Sequence, residues 1–195
     1  MESLWSPVGI AVLWLVLHST DYLLTIATAR LRAQGDLRER VVLGGSIELN
    51  PLFQQVVERG QWLSKRFLVT LAFGAVLLPV ALGYFQWVEA RGVLRTAWLA
   101  ELFCGGLVVT RFTVISIHLQ NLFLFRRMLR VPEASTVRMH YDRGTVMSVS
   151  RARQLEVAGL CAIAWLVSGR LFLLGGLLAT LLVVGAMLFW ARRQR

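Results

Sequence analysis

Long runs of apolar residues recur along this 195-residue chain, and they constrain its fold more than any other feature. A membrane-spanning helix needs about 20 consecutive, mostly apolar residues, and the runs at about 7–29, 67–88 and 97–125 all reach that length. Only 16% of the residues are charged, whereas soluble domains carry about 25%. The sequence therefore predicts one all-α integral membrane domain over residues 1–195.

The last apolar stretch, residues 157–190, is too long for one crossing. As a single helix it would extend about 51 Å, and the hydrocarbon core of a bilayer is about 30 Å thick. The letters SGR at 168–170 offer a break, which predicts one helix over 154–168, with a re-entrant hairpin as the alternative, and another over 171–190. The predicted fold class is an all-α, polytopic membrane helix bundle with about five transmembrane helices.

Two segments are too polar to span a membrane. The apolar residues of IELNPLFQQVVERGQWLSKR, at 47–66, recur at helical spacing, which predicts a short amphipathic helix on the cytoplasmic side of the bilayer. Leu52, Phe53 and Val56 would face apolar surroundings. Residues 126–153 are predicted as a cytoplasmic loop, and within it RMHYDRGTVMSV places a glycine between two β-prone runs, which predicts a small hairpin.

Basic residues concentrate in alternate connections between the predicted helices. Along the chain the four connections hold seven, two, seven and one Lys or Arg, and the C-terminal tail holds three. Because cytoplasmic loops carry the excess of Lys and Arg, the N-terminus is predicted outside and the C-terminus in the cytoplasm. Membrane orientation thus accounts for the net charge of +10, and no nucleic-acid partner is expected.

Polar residues interrupt the first predicted helix near its centre. His18, Asp21 and Thr25 are spaced three and four positions apart, so they share one stripe of the helix. An aspartate in the middle of a membrane helix costs about 2.5–3.5 kcal/mol on insertion scales. Another group is therefore expected to compensate for the charge of Asp21.

The third predicted helix supplies candidate partners, Arg111 and His118, with Asn121 flanking them. Both helices enter the membrane from the same side, and a rise of about 1.5 Å per residue places Asp21 between Arg111 and His118 in depth. We therefore predict that Arg111 neutralises Asp21. Such a pair either serves only to set the register of two helices or belongs to a polar cavity open to the cytoplasmic side.

Glu48 and Asn50 lie where the amphipathic helix is predicted to begin, at the mouth of such a cavity. They would either extend the polar site or act as solvated capping residues. Glu48 is also an alternative partner for Arg111, in which case Asp21 would bond to His18 or His118.

Short motifs in this region resemble an uncharacterised family of small bacterial integral membrane proteins. That family has D-x-x-x-T in its first helix and E-x-N-P at the start of a second segment, followed by a basic residue. This chain has the matching residues at Asp21–Thr25, Glu48–Pro51 and Lys65–Arg66, and the resemblance covers about residues 13–80. It implies a bacterial inner (cytoplasmic) membrane protein. Because the family carries no established activity, the resemblance indicates which positions belong to a site but not the chemistry of that site.

The function that these patterns favour is passage or binding of an ion or small polar solute through an intramembrane polar site. The predicted site residues are His18, Asp21, Thr25, Glu48, Asn50, Arg111, His118 and Asn121. The alternatives are an intramembrane enzyme acting on a lipid, and an accessory subunit that meets a protein partner through 126–153. No catalytic residue can be assigned, no metal-ligand spacing such as HExxH occurs, and neither a metal nor a cofactor is expected.

Pairs of small residues indicate close helix contacts. They occur at Gly105–Gly106, Gly175–Gly176 and Gly185–Ala186. In membranes such pairs let helix backbones approach each other, either within one monomer or between monomers. A homo-oligomer in the lipid bilayer is the favoured interpretation.

Overall fold

The structure is a computed structural model that describes residues 6–35, 37–43, 53–93, 95–130 and 139–193. Four of its helices are long and apolar enough to cross a membrane, namely α1, α4, α5 and α7. This confirms the prediction of an all-α, multi-pass bundle, and a fifth crossing stays a prediction. The elements in these residues are α1 (Pro7–Arg32), α2 (Leu37–Arg40), β1 (Val41–Leu43), α3 (Gln54–Glu58), α4 (Lys65–Ala90), α5 (Ala97–Arg130), β2 (Met139–Tyr141), α6 (Arg143–Ser168) and α7 (Leu171–Arg193).

The long helices begin and end at residues suited to those positions. The Ser6 hydroxyl accepts a hydrogen bond from the N–H of Gly9 at 3.0 Å, and the Ser64 hydroxyl accepts one from the N–H of Phe67 at 3.1 Å. Each bond satisfies a backbone donor that the first turn leaves free. Gly169 follows α6 with a φ of 67°, a conformation that glycine adopts most readily, so the break predicted at 168–170 is confirmed.

The five long helices pack side by side in the order α4, α1, α5, α7, α6. The two helices that carry the central polar residues, α1 and α5, therefore contact each other directly. An apolar cluster of Ile10, Leu82 and Cys104 joins α1, α4 and α5 at the end of the bundle where α1 begins. The polar residues of α1 and α5 lie further along, between apolar layers.

Two glycines bring the backbones of α5 and α7 into contact. A Cβ atom added at Gly105 would collide with the backbone of Phe172, and one added at Gly175 would collide with the backbone of Leu102. These two small-residue pairs therefore pack within the monomer. A Cβ atom at Gly185 would meet nothing within 4 Å, so this third small-residue position is unused within the described chain.

The two arginine-rich connections meet at one end of the bundle, which we call the basic end. There β1 pairs in parallel with β2, with Val42 opposite His140. Leu37 packs under this ladder against Phe125 and Met128 of α5. The C-terminal ends of α1 and α5 thus lie on the same side of the bundle.

The described part of the segment 47–66 contains one short helix, α3, and the first two residues of α4. Val56 and Val57 of α3 are buried, whereas Gln55 and Glu58 are exposed. This is the predicted division into an apolar and a polar face. Leu52 lies outside the described residues.

The prediction of a loop over 126–153 is wrong for most of its described residues. The helix α5 continues to Arg130, and α6 already begins at Arg143. The carboxylate of Asp142 accepts a hydrogen bond from the N–H of Thr145 at 2.8 Å, which caps α6. Arginines made this stretch too polar to be identified as part of a membrane helix, but they do not oppose helix formation.

The prediction of a hairpin over RMHYDRGTVMSV is also wrong. Its first three apolar or aromatic positions form β2, which pairs with β1 rather than with the residues that follow it. Gly144 lies in the first turn of α6 and makes no hairpin turn. A three-residue strand carries too little local signal to identify a partner about 100 positions away.

The predicted helix over 154–168 is the second part of a longer element. The helix α6 is continuous over Arg143–Ser168, 26 residues. The alternative prediction, a re-entrant hairpin within 154–168, is therefore wrong. The buried residues of α6, Met147, Gln154, Ala158 and Cys161, lie on one stripe. The stripe that faces the bundle therefore begins in the first half of α6, before the start of the predicted helix.

Candidate functional site

An ion pair joins α1 to α5 in the middle of the bundle. Nη1 of Arg111 donates a hydrogen bond to Oδ2 of Asp21 at 2.6 Å, and the two side chains are 26% and 14% exposed. A charged, short hydrogen bond of this kind compensates for a carboxylate that is removed from water. The pairing predicted from the depth of the two residues is therefore confirmed.

The guanidinium of Arg111 is covered by the indole ring of Trp14. Its Cζ atom lies 4.9 Å from the ring centroid, a distance at which a cation and an aromatic face attract each other. The indole N–H donates to the carbonyl of Leu71 on α4 at 3.0 Å. A Cβ atom at Gly74 would run into the indole, so α4 accommodates Trp14 only because this residue is glycine.

The other oxygen of Asp21 faces His118. Its Oδ1 lies 3.6 Å from Nε2 of His118, and the Thr25 hydroxyl oxygen lies 2.9 Å from the same nitrogen. The Thr25 hydroxyl donates its one hydrogen to the carbonyl of Asp21 at 2.8 Å, so it accepts from Nε2–H of His118. In the neutral ring, Nδ1 of His118 is then an acceptor. Asp21 thus lies between Arg111 and His118, as predicted.

His18 connects α1 to α4 rather than to Asp21. Its Nε2 lies 3.1 Å from the hydroxyl of Thr70, whose hydrogen is directed to backbone carbonyls of its own helix. The His18 ring stacks between Trp14 and Phe67, with centroid distances of 4.6 and 5.6 Å. His18 therefore donates through Nε2, and its Nδ1 is an acceptor in the neutral ring.

A cavity of about 490 Å³ lies beside these groups, within the size range of small-molecule sites. Along α5 its lining extends from Arg111 to Phe125, about 21 Å at the rise of an α-helix. The polar groups line its deeper half, and apolar side chains of α6 and α7 predominate toward the basic end. The residues that line that outer half include Val41, Tyr141, Val146, Met187 and Trp190.

Three residues that line the cavity each have one buried polar atom without a hydrogen-bond partner among the described residues. The atoms are Nδ1 of His18, Nδ1 of His118 and Oε1 of Gln154. Gln154 belongs to α6 and is only 1% exposed. Buried polar atoms in proteins are nearly always hydrogen-bonded, so these three atoms are exceptions, and their burial keeps them out of reach of a molecule in the cavity.

The cavity brings together six of the eight residues predicted for the site. His18, Asp21, Thr25, Arg111, His118 and Asn121 all line it. Glu48 and Asn50 lie outside the described residues.

Sequence reasoning missed Trp14 and Gln154. Helical spacing could have identified Trp14, which is four positions from His18 and seven from Asp21 and so lies on the same stripe. Gln154 could have been identified as the uncharged polar residue at the start of the predicted helix over 154–168.

The helices and the buried ion pair define a multi-pass helical membrane protein with a polar site between its central helices. Comparison with protein-family models, with curated proteins and with solved structures finds no match for this chain. The resemblance of D-x-x-x-T and E-x-N-P to small bacterial membrane proteins therefore stays a prediction that rests on those motifs. In the described residues, no group of three His, Cys, Asp or Glu side chains could hold a metal ion.

Proposed function

We propose that this protein binds an ion or small polar solute at the Asp21–Arg111 site within the membrane, as one step of its passage. The observation that carries this proposal is that the pair lines a cavity. An ion pair whose only role is to set helix register needs no cavity beside it. Here Arg111 is about a quarter exposed although it lies near the middle of α5.

The proposed setting is a bacterial inner membrane, with the basic end in the cytoplasm and the N-terminus outside. The β1–β2 ladder supports this orientation, since it brings both arginine-rich connections to one side of the bundle, where the positive-inside rule requires them. Self-association is part of the proposal, and Gly185 offers a surface for it that the described monomer leaves open.

An enzyme acting on a lipid is the alternative that the apolar outer half of the cavity favours. The contact between Thr25 and His118 at 2.9 Å resembles that of a nucleophile and its base. In hydrolytic triads, however, the carboxylate orients the histidine through the other ring nitrogen. Here Thr25 and Asp21 both face Nε2 of His118, so this geometry supports binding better than nucleophilic catalysis.

Accessibility to a water-soluble reagent tests the proposal. Asn121 lines the cavity, whereas Phe123, two residues along the same helix, is 64% exposed on the outside of the bundle. In a Cys104→Ala/Cys161→Ala background, Asn121→Cys should react with a charged methanethiosulfonate in inverted membrane vesicles, and Phe123→Cys should not. If neither cysteine reacted with the methanethiosulfonate, the proposal would be overturned, because a small polar solute could not reach the cavity from the cytoplasmic side either.

A further inference from the structure

A second cavity, of about 400 Å³, lies between α5 and α6. It follows α5 from Val108 to Gln120 and α6 from Arg153 to Leu160, and we call it the α5–α6 groove. Phe112 and Leu160, which line the groove, are 54% and 63% exposed, so the groove opens at the outer surface of the bundle. Because α5 is apolar enough to cross a membrane, lipid is the medium that this surface meets.

The groove changes from polar to apolar along its length. The polar side chains of Gln120, Arg153 and Glu156 lie at the end nearer the basic end, because α5 runs toward the basic end and α6 runs away from it. Apolar side chains predominate in the rest, where the hydroxyl of Thr113 donates to the carbonyl of Val109 in its own helix at 2.8 Å. Along α5 the groove measures about 18 Å, and one leaflet contributes about 15 Å of hydrocarbon. This length and polarity fit one acyl chain that extends from a polar headgroup.

The polar end of the groove presents charges of both signs. Nη1 of Arg153 donates a hydrogen bond to Oε2 of Glu156 at 2.9 Å, and the two side chains are 48% and 58% exposed. This single bond leaves other N–H groups of Arg153 and the second oxygen of Glu156 at the surface. A guanidinium binds phosphate through several N–H groups, and a carboxylate accepts hydrogen bonds from an ammonium. Because exposed pairs of this kind contribute little stability of their own, a headgroup with both charges can bind the two side chains without breaking a strong contact.

We propose that the α5–α6 groove binds a phospholipid with a primary-amine headgroup, phosphatidylethanolamine. Its phosphate lies at Arg153, its ammonium at Glu156, and one acyl chain along the apolar part of the groove. A choline headgroup has the positive charge but no N–H to donate to Glu156, and a glycerol headgroup leaves the carboxylate of Glu156 beside an uncompensated negative charge. The site is separate from the Asp21–Arg111 pair, so it does not depend on the proposed passage of a solute.

Competition between phospholipids tests the site in the full chain. The protein is placed in nanodiscs of phosphatidylcholine with a small, fixed fraction of phosphatidylethanolamine that carries a diazirine on one acyl chain, and labelled peptides are identified by mass spectrometry after photolysis. We expect more label on the groove-lining residues of α5 and α6 than on the exposed face of α4 at Val69, Phe73 and Val76, which serves as a surface of ordinary lipid contact.

The headgroup is then identified by exchanging the unlabelled lipid. Replacing phosphatidylcholine by unlabelled phosphatidylethanolamine with the same acyl chains should reduce the groove label and leave the α4 label unchanged. We expect a preference of about fivefold over phosphatidylcholine, which corresponds to about 1 kcal/mol, at the upper end of what exposed charge pairs contribute. Phosphatidylglycerol should reduce the groove label less than phosphatidylethanolamine does.

Two variants check the assigned contacts. Glu156→Gln removes the partner of the ammonium and should abolish the difference between phosphatidylethanolamine and phosphatidylcholine. The control Glu58→Gln, the same change at an exposed position of α3, should keep the fivefold preference. Arg153→Gln should lower the groove label with every unlabelled lipid, because the phosphate loses its guanidinium.

Each part of the proposal has an outcome that contradicts it. Equal competition by phosphatidylethanolamine and phosphatidylcholine in the original protein would overturn the headgroup assignment. Stronger competition by phosphatidylglycerol would overturn the contact between the ammonium and Glu156. A groove label no higher than the α4 label, as expected if a second copy of the chain filled the groove, would overturn the lipid site. The reaction of Asn121→Cys reports on the other cavity, so it separates the failure of this site from a failure of the proposed function.

Discussion

Asp21 and Arg111 are 90 positions apart in the chain, yet their side chains are joined at 2.6 Å near the middle of two apolar helices. Removing either partner leaves the other charge without compensation, which costs about 3–5 kcal/mol for a buried pair. We expect Asp21→Asn and Arg111→Gln each to lower the free energy of unfolding by about 3 kcal/mol, the lower bound of that range, because Arg111 is 26% exposed. The double variant should lose less than the sum, as measured by reversible unfolding in mixed micelles.

The pair between Arg153 and Glu156 provides the control for this cycle. Its charged atoms are 2.9 Å apart, but both side chains are about half exposed. Exposed pairs at this helical spacing contribute about 0.2–0.5 kcal/mol, so Arg153→Gln and Glu156→Gln should show a small coupling energy. If Asp21 and Arg111 gave a coupling equally small in the same assay, the pair would not be a stabilising contact between α1 and α5.

The pairing of Asp21 with Arg111 could be predicted from the sequence because two physical constraints act together. The rise per residue of a helix sets the depth of a side chain once the crossing direction is known. An apolar environment then requires that a charge at that depth meet an opposite one. The same reasoning placed His118 beside Asp21, but it could not show that His18 turns toward Thr70 of α4, because rotation of one helix against two neighbours depends on packing.

The start of α6 could not be identified in the same way. Hydropathy separates membrane-spanning segments from segments in water. The arginines at 143–153 led to the prediction of a loop in water, although these residues form the first part of α6, which packs on α7. The β1–β2 ladder joins two segments about 100 residues apart through three residue pairs. Such contacts result from the arrangement of the helices, and no local pattern in either segment predicts them.

The orientation of the bundle is tested at two positions in its connections. In a Cys104→Ala/Cys161→Ala background, Gln34→Cys lies just after α1 at the basic end, and Gly92→Cys lies just after α4 at the other end. With the N-terminus outside, a membrane-impermeant maleimide added to intact cells should label Gly92→Cys and spare Gln34→Cys. Lysed cells should show labelling of both, which controls for reactivity. Labelling of Gln34→Cys in intact cells would reverse the proposed orientation.

The cap of α6 should depend on pH through Asp142. Hydrogen bonds from the hydroxyl and the backbone N–H of Thr145 lower the pKa of the Asp142 carboxyl from its usual value of 3.8. The ionised carboxylate thus favours the folded helix end: its contribution is complete above pH 3.8 and is lost as the pH falls through the lowered pKa of the folded protein. We expect the Thr145 amide to lose protection from hydrogen exchange, corrected for the intrinsic rate, in that acid range.

Two variants separate the cap from general acid unfolding. Asp142→Ala should show low protection of the Thr145 amide at every pH, since no side-chain acceptor remains. Asp142→Asn keeps an acceptor that does not titrate, so its protection should not change with pH through the acid range. Protection in Asp142→Ala equal to that of the original protein would show that the side chain of Asp142 does not cap α6.

The glycine contact between α5 and α7 predicts a large effect from a single methyl group. In Gly105→Ala and in Gly175→Ala the new Cβ would occupy the position of a backbone carbonyl on the facing helix. A backbone atom cannot rotate away as a side chain can, so the helices have to separate. Overpacking of this kind costs about 1–3 kcal/mol or more, and we expect the upper part of that range, measured as a loss of free energy of unfolding in mixed micelles.

The double variant and a third glycine complete this test. Once one alanine has moved the helices apart, the second meets less resistance, so Gly105→Ala/Gly175→Ala should cost less than the sum of the two. Gly185→Ala adds its methyl group where nothing lies within 4 Å, and its free energy of unfolding should be unchanged or slightly higher, because alanine favours helix over glycine by about 1 kcal/mol. If Gly105→Ala proved as neutral as Gly185→Ala, α5 and α7 could not be in backbone contact, and the patch at Gly105–Gly106 would be free to serve contacts between monomers.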